Sequence, residues 1–192
     1  DDSDRPEIEV VSQNMLSASG IANLVPGALI DPMAFSPCGF SMNAICFKSY
    51  STIHVTPEKN CSYASFETNQ PLRSYGALIN NVVRLFRPKR FVLTLMADEA
   101  GVNLMRDNPL ASASSSKHSN IVINEKNGVK KYIRKSLASI QIEEDCCCMM
   151  ANFGLEAGEW EDNGEPAILN NEGEESVKAR AQKGRSASLN FD

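Results

Sequence analysis

The fold class is decided by three consecutive segments in which polar and apolar residues alternate: SMNAICF (41–47), STIHVTP (51–57) and SYASFET (62–68). In the second segment, His54 lies between the apolar residues Ile53 and Val55. A period of two residues is typical of strands with one buried face, and the short gaps between the segments leave room only for turns. We therefore predict an antiparallel meander from about residue 39 to residue 69.

Residues 74–86 have a helical period instead. The apolar positions that recur every three or four residues are Tyr75, Leu78, Ile79, Val82, Val83 and Phe86. Ser74 can cap the start of this helix and Pro88 can close its end. RFVLTLMA (90–97) is predicted to be a buried strand, residues 98–120 a serine-rich loop, and residues 128–142 and 145–153 the last two strands. Strands on either side of one amphipathic helix indicate an α+β fold, with a mostly antiparallel sheet and a helix packed on one face.

The two ends of the chain differ in composition from its body. We interpret residues 1–18 as a connecting segment, with one edge strand at IEVV (8–11), and residues 19–34 as a helical turn, a loop and a strand. Residues 155–192 hold nine of the 24 acidic and four of the 19 basic residues, and few apolar ones. Such a segment cannot bury enough surface to offset its ordering entropy, so we predict a disordered tail.

Charge and cysteine patterns exclude several functional classes. The first 154 residues hold fifteen acidic and fifteen basic residues, so there is no electrostatic basis for nucleic-acid binding. No stretch approaches the length of an apolar membrane span, and no secretory signal follows Asp1. The six cysteines form no C-x-x-C pair, so we expect no metal site. Reduced cysteines of this kind favour a cytoplasmic protein.

Four residues near the first two strands could carry chemistry. Ser41 and His54 lie on adjacent predicted strands, so their side chains can share one face, and a histidine beside a hydroxyl can exchange a proton near neutral pH. Phe35 offers a flat apolar surface for a heterocycle, and the Glu58 carboxylate can accept two hydrogen bonds from a diol. Each residue also has an ordinary structural explanation, and spacing alone indicates only an α+β domain.

The exact residues of four motifs are more informative than the spacing between them. In order along the chain they are NLVPGALID (23–31), FSPCGFSMN (35–43), STIHVTPE (51–58) and SYASFETN (62–69). This series resembles the C-terminal part of eukaryotic S-adenosylmethionine decarboxylase, and the resemblance continues more weakly to Phe153. It therefore assigns residues 19–154 to the C-terminal half of such a domain.

The resemblance implies a four-layer αββα sandwich, of which this chain would form half. It also implies a lyase of spermidine and spermine biosynthesis, which removes carbon dioxide from S-adenosylmethionine. Enzymes of this family use a pyruvoyl group that a proenzyme makes from an internal serine by cleaving itself. That group holds the substrate amine as a Schiff base.

The resemblance implies a role for each residue of this chain that matches a functional position in the family's motifs. Ser41 and His54 match the pair that assists self-processing and handles protons, and so are the candidate catalytic residues. Glu58 matches the acid that binds the ribose hydroxyls, and Phe35 matches one of two aromatic residues that sandwich the adenine. Glu67 matches one acid of the site that binds putrescine in animal enzymes and is a candidate effector residue.

The sequence also departs from the family pattern. The Glu-Ser-Ser self-cleavage motif is absent, so the serine that yields the pyruvoyl group is not in this chain. We expect a C-terminal fragment whose partner is the N-terminal half, or beta chain, of the same enzyme. The alternative is an inactive regulatory paralogue that binds an active decarboxylase subunit, and either form could assemble as a homodimer or heterodimer.

Overall fold

The computed structural model describes residues 5–105, 110, 120–125, 128–143 and 145–156. These residues form two compact units. The first unit comprises the described residues up to Gln70 together with Leu85–Arg87, and the second comprises Pro71–Arg84 and the described residues from Pro88 onward. The serine-rich segment 111–119 and nearly all of the predicted tail lie outside the described residues.

The first unit contains a four-stranded antiparallel sheet in the order β1-β2-β3-β4. Its elements are α1 (Arg5–Ser19), a 3-10 turn (Ile21–Leu24), β1 (Leu29–Ala34), β2 (Phe40–Cys46), β3 (Ser49–Thr56) and β4 (Tyr63–Thr68). Each strand pairs with the next one along the chain, which confirms the predicted meander. The helical turn and the strand expected within residues 19–34 are also confirmed.

Helix α1 corrects the prediction of an edge strand at residues 8–11. Apolar residues recur at Ile8, Val11 and Met15, which is a helical period, and the run of four was too short to outweigh it. Ser12 is buried, and its hydroxyl accepts a 2.9 Å hydrogen bond from the backbone N–H of Ala34 in β1. The helix is therefore attached to the sheet by a serine that a polarity pattern would assign to solvent.

Alternation along the central strands gives the first sheet one buried and one open face. In β2, Phe40, Met42 and Ala44 are buried, whereas in β3 the buried positions include Ile53 and Val55. Leu16 of α1 and the 3-10 turn contribute further buried side chains to this unit. Because side chains alternate across a strand, Ser41 and His54 occupy the opposite, open face.

The second unit has a second antiparallel sheet, in the order β5-β8-β7-β6. Its elements are α2 (Gly76–Phe86, whose last two residues belong to the first unit), β5 (Arg90–Asp98), α3 (Glu99–Leu104), β6 (Asn120–Glu125), β7 (Gly128–Glu143) and β8 (Cys146–Leu155). Val83 of α2 joins a buried cluster with Ile123, Tyr132, Ala151 and Phe153. A helix packed on one face of a sheet was predicted, and here it is confirmed.

Two local predictions in the second unit were wrong. Residues 98–120 contain the short helix α3 and the start of β6, so they are not loop throughout. The side chain of Asp98 caps α3 by accepting a 2.6 Å hydrogen bond from the N–H of Gly101. β5 alternates between exposed and half-buried residues and is not fully buried. Across the described residues the strands form two antiparallel sheets, and the predicted α+β fold class with antiparallel strands is confirmed.

Candidate active site

Ser41 and His54 meet on the open face of the first sheet. They are directly opposite each other in the register of β2 and β3, and Ser41 Oγ lies 2.8 Å from His54 Nδ1. The predicted pair is therefore a side-chain hydrogen bond in the structure. Among the described residues, His54 Nε2 has no partner, so this nitrogen remains available to another molecule.

The pair can hold or move one proton in either of two arrangements. With the proton on Nε2, the neutral ring accepts the Ser41 hydroxyl proton at Nδ1. With the proton on Nδ1, the ring donates to Ser41 Oγ, and Nε2 becomes a free base on the open face. The hydrogen bond to serine thus orients the imidazole and couples its two nitrogens.

Phe35 follows β1 and begins a tight turn that leads into β2. The Phe35 N–H donates a 3.1 Å hydrogen bond to the carbonyl of Gly39, which closes the turn. Gly39 has a φ of +135°, a backbone conformation that residues with a side chain rarely adopt. Glycine suits that conformation best, so the glycine of the PCG motif has a structural cause. Phe35 is 52% exposed, so another molecule can reach its side chain.

Glu58 follows β3 on an exposed stretch of chain. Cys38, in the turn after Phe35, directs its thiol at the Pro57 carbonyl at 3.6 Å. The Glu58 carboxylate makes no hydrogen bond or ion pair with any other described residue. It is thus a free anionic group next to the turn that carries Phe35.

The sheet register brings these four residues to one end of the sheet. Ala34 pairs with Phe40, and Phe40 pairs with Val55. The end of β1, the start of β2 and the end of β3 therefore lie at the same end of the sheet. Phe35 and Glu58 lie in the segments just beyond that end of the strands, and Ser41 and His54 pair one residue inside it. The arrangement combines a ring face, a carboxylate and a proton-handling pair within one short region.

Glu67 does not join this group. It pairs with Thr52 and is exposed, whereas the residue opposite His54 is Ser65. Glu67 therefore shares the open face but lies farther along β4, so its effector role stays a prediction. Within the part of the chain that the structure describes, no cluster of three or more metal-ligating side chains occurs.

Ser62 belongs to the site region but was not singled out from the sequence. Its hydroxyl contacts both backbone groups of Glu58, at 3.1 Å and 3.0 Å. A local signal was present, because a serine at the end of a short polar loop can close that loop by hydrogen bonds from its side chain to the backbone. It was missed because Ser62 was assigned to the strand that begins one residue later.

Comparison with known proteins identifies the family. The model of the family described as Adenosylmethionine decarboxylase matches residues 2–154. This chain belongs to the adenosylmethionine decarboxylase family. The predicted resemblance is thereby confirmed, and the match begins well before Ser19, the start of the predicted domain.

Relatives with the same description come from distant eukaryotes. The S-adenosylmethionine decarboxylase proenzyme of Dictyostelium discoideum is 49% identical over 81 residues, which cover 42% of this chain and 21% of that protein. The Xenopus laevis proenzyme is 46% identical over 92 residues, covering 47% of this chain and 28% of that protein. This member of the family therefore matches well under a third of the length of either relative.

A solved structure supports the same assignment. The crystal structure of the Trypanosoma brucei AdoMetDC-delta26 monomer aligns with a TM-score of 0.55 and 28% identity. The alignment covers 74% of this chain and 52% of that one. The adenosylmethionine decarboxylase fold thus extends over most of this chain.

None of the helices in the described residues is long and apolar enough to cross a membrane.

Proposed function

We propose that this chain supplies the Ser41–His54 region of a pyruvoyl-dependent S-adenosylmethionine decarboxylase and works with a partner that holds the rest of the active site. The main support for the proposal is the 2.8 Å hydrogen bond between Ser41 Oγ and His54 Nδ1. It lies near the end of the sheet at which Phe35 and Glu58 are also found. Family membership gives this arrangement its chemical context.

The proposed roles follow from what each side chain can do. The Glu58 carboxylate accepts hydrogen bonds from the ribose hydroxyls of the substrate. The Phe35 ring stacks on the adenine and can also attract the positive sulfonium group. His54, oriented by Ser41, takes up or returns a proton during self-processing of the proenzyme.

The residues of this chain do not include a site at which the pyruvoyl group could form. The sequence contains no Glu-Ser-Ser motif from which the group could form, so another polypeptide segment must provide it. When present, it would supply the electron sink for loss of carbon dioxide. The groups of this chain would bind the nucleoside and handle protons around it.

The proposal has a direct test in the chain itself. The purified chain should bind S-adenosylmethionine but release no carbon dioxide from its carboxyl-labelled form, because the electron sink is missing. Clear turnover by the purified chain would contradict the proposed division of the active site. Failure to bind the substrate would contradict the assigned roles of Phe35 and Glu58.

The second candidate is an inactive regulatory subunit in the cytoplasm that binds an active decarboxylase. One observation favours it: the open face of the first sheet carries exposed apolar side chains, which suit a protein partner. They are Leu29, Met33, Ile45 and Tyr50. Under this alternative, mixing the chain with an active relative should raise that enzyme's rate, and His54→Ala should leave the increase unchanged.

A further inference from the structure

The backbone of Glu58 is held by one side chain. The Glu58 N–H donates to Ser62 Oγ at 3.1 Å, and the Ser62 hydroxyl donates to the Glu58 carbonyl at 3.0 Å. A single hydroxyl thus satisfies both hydrogen-bonding groups of the residue that we assign to the substrate diol. It closes the five-residue loop from Glu58 to Ser62.

This contact continues the sheet beyond its last regular pair. The ladder between β3 and β4 ends where Thr56 faces Tyr63, and Pro57 has no N–H to extend it. At Glu58, the Ser62 side chain takes the place of the main chain of a neighbouring strand, because it both accepts and donates. Cys38 adds a weaker contact from the other side through the Pro57 carbonyl, at 3.6 Å.

The Glu58 side chain has no comparable restraint. Its carboxylate is exposed and has no partner among the described residues, so its position depends on the backbone that carries it. A polar group that must meet two hydroxyls loses much of its effect when it is displaced by about 1 Å. Whatever fixes the backbone at Glu58 therefore affects ligand binding.

We infer that Ser62 is a positioning residue for Glu58, and that its two hydrogen bonds set the selectivity of the site for a nucleoside with an intact 2′,3′-diol. This inference rests on the proposed role of Glu58. Ser62 acts on the ligand only through Glu58 and needs no contact with it.

The test compares three nucleosides on the full chain. We would measure the dissociation constants of adenosine, 2′-deoxyadenosine and 3′-deoxyadenosine by calorimetry for the wild-type chain and for Ser62→Ala. The wild type should bind adenosine about ten- to a hundredfold more tightly than either deoxynucleoside, as expected for hydrogen bonds to a charged group. In Ser62→Ala this preference should largely disappear, because adenosine loses more affinity than either deoxynucleoside.

Two further variants separate positioning from a general effect on the loop. Ser62→Thr keeps the hydroxyl and should restore the preference for adenosine. Asn60→Ala changes an exposed residue of the same loop that has no hydrogen-bond partner among the described residues, and it should leave the preference intact. A preference that persists unchanged in Ser62→Ala would overturn the positioning role.

Amide hydrogen exchange at Glu58 distinguishes failure of this inference from failure of the proposed function. Exchange should accelerate in Ser62→Ala and stay slow in Ser62→Thr, because the N–H loses its acceptor only in the former. Faster exchange in a chain that never discriminates the diol would contradict the role of Glu58 and, with it, the proposed function. Unchanged exchange would contradict the inference about Ser62 itself.

Discussion

Ser41 and His54 face each other across neighbouring antiparallel strands and share a 2.8 Å hydrogen bond between Oγ and Nδ1. The register alone places the two Cβ atoms close together, and the hydrogen bond fixes the ring. His54 Nε2 consequently remains as the ring atom without a partner among the described residues. The chemistry we propose for this chain depends on that relationship.

Replacing His54 should stop proton handling without harming the fold. The test uses a chimaeric proenzyme, in which residues 2–154 replace the corresponding segment of the Xenopus laevis relative. His54→Ala should slow the appearance of two processed chains by about 10²–10⁴-fold, the usual contribution of a positioned acid or base. Gel electrophoresis over time measures this rate.

Thr56→Ala is the matched control, since Thr56 is exposed and lies two residues farther along the same face of β3. It should leave processing unchanged. Equal slowing in both variants would show that the effect is structural.

A double-mutant cycle should show that Ser41 and His54 act as a unit. Once His54 is replaced by Ala, the additional change Ser41→Ala should slow processing only slightly, because the serine then has no imidazole to orient. Residues that share one hydrogen bond are non-additive in this way. Processing rates of the two single variants and the double variant give the coupling. Strictly additive slowing would mean that the two side chains act independently.

The two faces of the first sheet should differ sharply in their tolerance of substitution. Ile53 is fully buried, so Ile53→Ala should lower the free energy of unfolding by about 2–5 kcal/mol through lost burial and the cavity it leaves. Ile45 is 61% exposed on the opposite face, and Ile45→Ala should have little effect. Urea unfolding of the chain measures both, and similar losses would contradict the assignment of the buried face.

Phe35 and Phe47 form a matched pair for testing nucleoside stacking. Phe35 lies at the same end of the first sheet as Glu58. Phe47 lies at the other end, in the turn between β2 and β3, and is 99% exposed. Phe35→Ala should weaken binding of S-adenosylmethionine by about 1–3 kcal/mol, the range measured for a base on an aromatic ring. Phe47→Ala should not change the dissociation constant. Calorimetry on the full chain distinguishes the two, and equal affinities for both variants would remove Phe35 from the site.

Sequence periodicity predicted the first sheet well because its strands have one buried and one open face. The alternation of apolar and polar residues around Ile53 and His54 reflects that difference. Both the strand and the position of Ser41 beside His54 could therefore be predicted from it.

Helix α1 was missed although Ile8, Val11 and Met15 recur at a helical period, because the run of four apolar residues at 8–11 was interpreted as a strand. Ser12 also hid the buried face of the helix, because a buried serine that hydrogen-bonds to β1 looks like a solvent-exposed residue in a hydropathy pattern.

The second sheet and the positioning of Glu58 were harder to predict. The β6 strand pairs with β7, the next strand along the chain, yet it follows a segment whose composition resembles that of a loop. Strand order is set by pairing between distant segments, as in β5 with β8, and a local pattern carries no information about that. Ser62 acts through a hydroxyl–backbone contact, which likewise leaves no periodic signal.

The most direct test of the account is self-processing and turnover of the chimaeric proenzyme. If this chain carries the Ser41–His54 region of a decarboxylase, the unsubstituted chimaera should cleave itself into two chains and release carbon dioxide from carboxyl-labelled S-adenosylmethionine, and the His54→Ala form should do neither at a comparable rate. A chimaera that folds cooperatively but stays a single inactive chain would contradict the account.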